Sequence, residues 1–292
     1  HASNRTCVWL GHDTKSGALA LQLRDRFSGS RAVLVHHMAF GAYHDFKKGN
    51  SQDAAAKREA QRQMFMGADL CLAVGPMLRD QLADLLRAEP GRPEIEMLIP
   101  GLAEPDPGRV QISDQAPRNF TAFIAGRLGV EDDRIKQGAL AVRAFGTATK
   151  IAFQDLHADH AIRRSPTLRM RGVPRDGHDT VRRLLRTASE REVNCDLGEY
   201  TEDRTAYFRD LATSSVALMP SWHEGFGLAA WEAIACQVPV VVGEQSGVYR
   251  LLAEECQGMG LGKSVRSVPV AGYSGDEAEP NHTDQDVDNV AN

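Results

Sequence analysis

The stretch VALMPSWHEGFGLAAWEAIACQVPVVV, Val216 to Val242, decides how the rest of the chain is read. Its first apolar run, Val216 to Met219, has the length of a buried strand. Pro220 and Ser221 end that strand, and His223, Glu224, Gly225, Phe226 and Gly227 form a tight loop. A helical pattern follows, with Leu228, Trp231, Ile234 and Ala235 on one face. Val240 to Val242 then make a second buried strand. The order strand, loop, helix, strand predicts one unit of a parallel α/β sheet.

The loop carries the chemistry. Gly225 and Gly227 let the backbone approach a ligand closely. The start of the following helix offers free N–H groups and the positive end of its dipole, which favour an anion such as a diphosphate. Glu224 stands on the loop and Glu232 about two turns into the helix. Carboxylates accept hydrogen bonds from hydroxyls and do not bind phosphate. Two of them around an anion site suit a ligand with phosphates in its middle and sugars at both ends.

Glu224-Gly-Phe-Gly-Leu, Glu232-Ala-Ile-Ala-Cys and Pro239-Val-Val together resemble the E-x7-E signature of retaining glycosyltransferases of the GT-B type. The group is the one that includes glycogen and sucrose synthases and bacterial mannosyltransferases. One departure is visible: the family usually has Gly after the Cys, and here Gln237 follows Cys236. That position lies at the helix end, so the change is expected to alter a cap and leave the site intact.

Composition sets the bounds. The 292 residues suit two domains, and 42% apolar residues supply real cores. A net charge of −5 argues against a nucleic-acid partner. The five cysteines are scattered without a C-x-x-C pair, as expected of reduced thiols in a cytoplasmic protein. No apolar run reaches the length of a membrane span. A peripheral membrane contact and a larger parent chain both stay open.

Residues 1–103 read as an incomplete N-terminal Rossmann-like domain on the acceptor side. Cys7 to Gly11 is a strand and Gly17 to Arg26 a helix, with the loop from His12 at the ligand-facing edge. Arg31 to Val35 is the next strand, followed by His36-His37-Met38-Ala39-Phe40. HDTKSGALA, from His12, resembles the HDWHTGLAP segment of glycogen synthases, and VHHMAF, from Val35, resembles their VHNLAY. That resemblance implies that His36 is the active-site histidine. The family's opening strand and Gly-rich loop have no counterpart before Cys7, so the chain is expected to be a fragment, a shortened variant or part of an assembly.

Residues 104–118, rich in Pro and polar side chains, read as the linker. Residues 119–292 read as the nucleotide-sugar-binding domain, ending in an acidic tail at 273–292. Gly126-Arg127-Leu128 and Lys136-Gln137-Gly138 resemble the family's G-R-x(n)-K-G element, with a longer insertion between them. The resemblance assigns Arg127 and Lys136 to the donor diphosphate, and both charges would offset the one developing on the leaving group. His157 and His160 form a pair with no third ligand at suitable spacing, and no metal is expected. Gly198-Glu199-Tyr200 looks like the family's loop beside the base, and Thr201 is read as capping the helix Asp203 to Thr213.

The fold expected is therefore α/β, with two Rossmann-like domains whose parallel sheets face each other across a cleft. The function it implies is transfer of a hexose, with retention, from a nucleotide-diphosphate sugar to a sugar or glycan acceptor, without metal or other cofactor. Glu224 and His36 are the expected catalytic residues. Arg127, Lys136, Gly225, Phe226, Gly227, Leu228 and Glu232 are expected to bind the donor. The alternative is a nucleotide-sugar-binding or regulatory module of a larger protein.

Overall fold

A computed structural model of the chain describes residues 7–39, 51–102, 119–128, 135–154, 166–260, 267–271 and 282–292. The chain divides into two compact units, His1–Gly101 and Leu102–Asn292.

The first unit is a four-stranded sheet made of β1 (Val8–His12), β2 (Arg31–His36), β3 (Leu70–Val74) and β4 (Glu94–Leu98). The strands are parallel throughout and lie in the order of the sequence. Helices α1 (Asp13–Arg26), α2 (Ser51–Met66) and α3 (Gly75–Leu85) connect them. Strand β2 is central and buried on both faces, so Ala32, Leu34 and Val35 read as an almost continuous apolar run. Leu34, Phe65, Cys71, Leu82 and Leu86 make the core with Ala20. The Cys71 thiol is pushed up to about 12 by burial, which makes it an inert core residue. Strand β1 is an edge strand, and Val8 and Leu10 are exposed on it.

The second unit is a five-stranded parallel sheet of β5 (Thr121–Ala125), β6 (Thr167–Arg171), β7 (Asn194–Gly198), β8 (Val216–Met219) and β9 (Val240–Val242). Its order is β7-β6-β5-β8-β9, so the chain builds outward from β5 on one side and then on the other. The helices are α4 (Gly138–Gln154), α5 (His178–Ser189), α6 (Arg204–Ala212), α7 (Leu228–Ala235), α8 (Gly247–Gly258) and α9 (Asp284–Ala291). Alternation along β5 divides the core. Ala122 and Ile124 face Ala141, Val142 and Phe145 of α4 and Leu185 of α5. Phe123 faces Tyr207, Phe208 and Leu211 of α6 and Ala233 of α7.

Several expectations change in detail. Helix α7 buries Ala230 and Ala233, whereas Leu228, expected on the packed face, is 56% exposed as its first residue. Asp203, not Thr201, caps α6: its carboxylate accepts from Ala206 N at 3.0 Å, while the Thr201 hydroxyl accepts from Asp203 N. The segment read as an acidic tail contains α9, whose Val287 and Val290 pack on Leu140 and Ala144 of α4. A Thr283–Asp286 capping box starts that helix. The whole of the proposed linker and the His157–His160 pair lie outside the described residues. Among the described residues, no helix is long and apolar enough to cross a membrane, and no group of three or more His, Cys, Asp or Glu side chains could hold a metal ion.

Gln237 stands just beyond α7 with φ 59°, a left-handed backbone at the position where helices prefer glycine. A side chain there costs free energy that glycine avoids. Gln237→Gly is expected to stabilise the second unit by about 0.5–1 kcal/mol, read as a higher midpoint in urea unfolding with an unchanged slope.

Candidate functional site: a basic pocket with two carboxylates

Parallel strands end at one edge, and the register of the second sheet fixes which residues meet there. Ala125 pairs with Arg171, and Arg171 with Gly198. The residues after these strand ends share a cavity of 640 Å³ lined by Gly126, Arg127, Lys136, Arg171, Tyr200 and Arg204, with Tyr207 of α6 and Ala229 of α7 among the other walls. Tyr200 is 76% exposed and presents its ring at that edge.

The Glu224 loop is held by backbone bonds. Glu224 N donates to Gln245 O at 3.0 Å, and Gly247 N donates to Glu224 O at 3.0 Å. Val248 N donates to Phe226 O. The N–H groups at the start of α8 are thus spent on the loop. The approach is close enough that a Cβ on Gly247 would fall 2.2 Å from Gly225 O, so only glycine fits. Gly227 takes φ 101° as the N-cap of α7 and turns the chain into the helix. Phe226 is buried and packs edge-on against Trp231.

Lys136 reaches the same place from the other side. Trp222 N donates to Ile135 O at 2.9 Å, tying the Lys136 turn to the Glu224 loop. Lys136 Nζ donates to Glu224 Oε2 in an ion pair whose two side chains are each about a quarter exposed. Arg204 Nη2 donates to Glu232 Oε1 at 2.5 Å, and the Glu232 side chain is 15% exposed. Glu232 also faces Tyr207, whose phenol is pushed up by burial and by the Glu232 charge. Arg171 is held by Asp196 and Asp210 at 3.0 and 2.7 Å. Burial lowers the His223 imidazole, against an opposing pull from Glu224.

Arg127, Lys136, Glu224, Gly225, Phe226, Gly227, Leu228 and Glu232 all belong to the second unit. Arg171 and Arg204 were not singled out from the sequence. Arg171 ends a strand that alternates Thr, Leu, Arg, Met, Arg, and its place beside β5 was the available signal. Arg204 offered none, because its partner Glu232 is distant in sequence.

His36 belongs to the first unit, at the end of β2, where it is buried edge-on against Phe65. Its Nδ1 lies 3.5 Å from Asp13 Oδ2. Gln61 uses its amide hydrogens on Asp13 Oδ1 at 2.6 Å and Met38 O at 2.8 Å. With both Gln61 amide hydrogens directed at these oxygens, the geometry favours His36 Nδ1 as the donor toward Asp13, which leaves Nε2 to face other partners. Asp13 Oδ2 also accepts from His37 N at 2.7 Å and Met38 N at 3.1 Å. Burial pushes the Asp13 carboxyl up, but the His36 contact and the backbone and Gln61 bonds together hold it below its usual value. Exposed His12 and His37 stack, with Nδ1 and Nε2 2.7 Å apart.

Two parallel sheets of this kind, with a cation-lined pocket at the strand ends of the second, define the α/β architecture of GT-B glycosyltransferases. A solved α,α-trehalose-phosphate synthase (UDP-forming) from Burkholderia xenovorans, in complex with glucose-6-phosphate, superposes with TM-score 0.62 at 16% identity, covering 98% of this chain and 65% of that one. Sucrose-phosphate synthase from Thermosynechococcus elongatus gives 0.57 at 17% identity, covering 97% and 65%. The chain belongs to the family described as Family 4 Glycosyltransferase in conflict systems, which it matches over residues 2–292.

A D-inositol 3-phosphate glycosyltransferase from Kineococcus radiotolerans is 26% identical over 285 residues, 91% of this chain and 60% of the relative. A GDP-mannose-dependent α-(1-6)-phosphatidylinositol dimannoside mannosyltransferase from Mycobacterium tuberculosis is 38% identical over 74 residues, 24% of this chain and 19% of the relative. The chain thus spans about 60% of the length of the first of these relatives.

The Asp13 contacts yield a pH prediction. The native pKa lies below the unfolded value of about 3.9, so the stabilisation is present above that value and is lost as pH falls through the native pKa. Asn can keep the left-handed backbone at φ 43°, but its amide must set an NH2 against a donor on one side or the other. Asp13→Asn is expected to destabilise the first unit by about 2–3 kcal/mol at pH 7, with the deficit shrinking below about pH 4, measured by urea unfolding across pH.

Proposed function

We propose that this chain binds a nucleotide-diphosphate sugar in the pocket of its second unit and transfers the sugar to an acceptor hydroxyl. The observation that carries the reading is the pairing of cations with carboxylates around one cavity, Lys136 with Glu224 and Arg204 with Glu232. A partly exposed ion pair is worth only about 0–1 kcal/mol. A diphosphate entering beside Arg127 therefore outcompetes Glu224 for Lys136. Glu224 is then released to accept hydrogen bonds from the sugar, and Glu232 faces the ribose. Binding and charge exchange become one event.

In the reaction, the bond from the anomeric carbon to the diphosphate oxygen breaks, and the acceptor oxygen bonds to that carbon. The acceptor proton passes to the leaving diphosphate, whose charge Arg127 and Lys136 offset. We read the transfer as retaining and metal-independent, from the resemblance of the Glu224–Val242 stretch and because side-chain cations are available for the leaving group. His36, oriented by Asp13, would hydrogen-bond a sugar hydroxyl. The relatives named for inositol phosphates support a sugar or other polyol as acceptor. We place the protein in the cytoplasm, with a peripheral membrane contact as one setting for a glycolipid acceptor.

The long insertion between Arg127 and Lys136 favours one second reading, a nucleotide-sugar-binding module of a larger protein. A thermal-shift series with UDP, GDP and ADP, followed by assay of donor hydrolysis and transfer with the matching nucleotide sugars, tests both. One nucleotide is expected to raise the midpoint, and Arg127→Ala should abolish the shift. Glu224→Ala should keep nucleotide binding and cut turnover by about 100-fold or more. Binding without turnover in the unaltered chain would select the module reading, and no binding of any nucleotide would sink both.

A further inference from the structure

Arg204 takes its place in the pocket from a packing arrangement. It is the first residue of α6, beyond its Asp203 cap. Its guanidinium lies over two rings at once, 4.9 Å from the Tyr207 centroid and 4.7 Å from that of Phe208. Both rings are buried in the core under β5, so the platform is rigid and the cation on it is held in direction as well as position. From there Nη2 meets Glu232 Oε1 at 2.5 Å. Arg204 is half-exposed on the pocket side, while Glu232 is largely buried.

This arrangement does something specific to the carboxylate. A glutamate side chain has three torsions to fix, and an ionised carboxylate has about four acceptor positions. Arg204 engages one oxygen, the Tyr207 hydroxyl also bonds the carboxylate, and further acceptor positions remain for ligand hydroxyls. We propose that Arg204 is a positioning residue for donor selectivity: it fixes the Glu232 carboxylate so that the site distinguishes a ribose from a 2′-deoxyribose. The inference rests on the donor reading above. A carboxylate clamped in one geometry recognises a hydroxyl that is present and is left unpaired by one that is absent, which is the condition for strong discrimination. A carboxylate free to turn can hydrate instead, and the discrimination falls. The platform explains why arginine stands here: a lysine reaches Glu232 but cannot stack its charge as a plane on both rings.

The test is calorimetric titration of the full chain with uridine, guanosine and adenosine diphosphates and their 2′-deoxy counterparts. For the base that binds, the ribose form is expected to bind at least about 20-fold more tightly than the deoxy form. In Arg204→Ala that ratio should fall below about 3-fold, chiefly through weaker binding of the ribose form, and Glu232→Gln should lower it similarly. Arg204→Lys should recover part of the ratio, which a merely structural role of the side chain would not produce; its half-exposed position makes loss of folding an unexpected result, checked by circular dichroism. Equal weakening of both forms in Arg204→Ala would make Arg204 a phosphate contact and overturn the inference. So would an unaltered chain that binds ribose and deoxyribose alike. If no diphosphate binds, the donor reading falls and this inference with it; if a diphosphate binds with a ratio untouched by Arg204→Ala, only this inference falls.

Discussion

The constraint behind the candidate site is that parallel strands all end at the same edge. In the second unit β5 is laid down first, and later strands are added on its β6 side and then on its β8 side. Connections diverge at that point, leaving a crevice at the carboxyl ends of the strands that no crossover helix fills. Gly126 and Arg127 leave from β5, Arg171 ends β6, and the Glu224 loop leaves from β8. Among the described residues the first sheet grows in a single direction, from β1 to β4, without such a divergence. The cavity lined by cations is accordingly found on the second sheet.

A crevice collecting basic side chains faces an electrostatic problem when empty. Like charges at close range in a partly dry space repel one another, and burying any of them unpaired is costly. The chain answers with a carboxylate for each of three cations: Glu224 for Lys136, Glu232 for Arg204, and Asp196 with Asp210 for Arg171. These pairs differ in kind. Arg171 makes several bonds to two acids and serves as a strut between β6, β7 and α6. The Lys136 pair is one contact at the cavity wall and can exchange partners at little cost, whereas Arg204 is held on the Tyr207 and Phe208 rings as it meets Glu232.

Much of the architecture was legible because parallel strands buried on both faces announce themselves as short apolar runs. Val216 to Met219 and Val240 to Val242 are such runs, and the glycines between them mark the loop. His36 and the Glu224 loop could be placed by following strand ends. What stayed hidden depends on partners distant in sequence. Asp13 reads as one polar residue in a loop, yet it is buried under contacts from His36, His37, Met38 and Gln61. Arg204 reads as an ordinary first-turn residue until Tyr207, Phe208 and Glu232 are seen around it. Periodicity misplaced Leu228 because an eight-residue helix has too few turns to define a face, and its first residue lies at the loop.

Helix α9 has a further consequence, for the order of events during synthesis. Leu140 and Ala144, in the helix that begins two residues after Lys136, are covered by Val287 and Val290. Asp286 adds a bond to Ala271 N at 2.7 Å, and Arg143 bonds Asp284 at the same distance. The support behind the lysine is thus translated long after the lysine itself. Until α9 has emerged from the ribosome, Leu140 and Ala144 lack the part of their cover that Val287 and Val290 supply beside Val270, Trp222 and Val241. A nascent chain therefore gains its finished basic pocket late, after every strand of both sheets has been made.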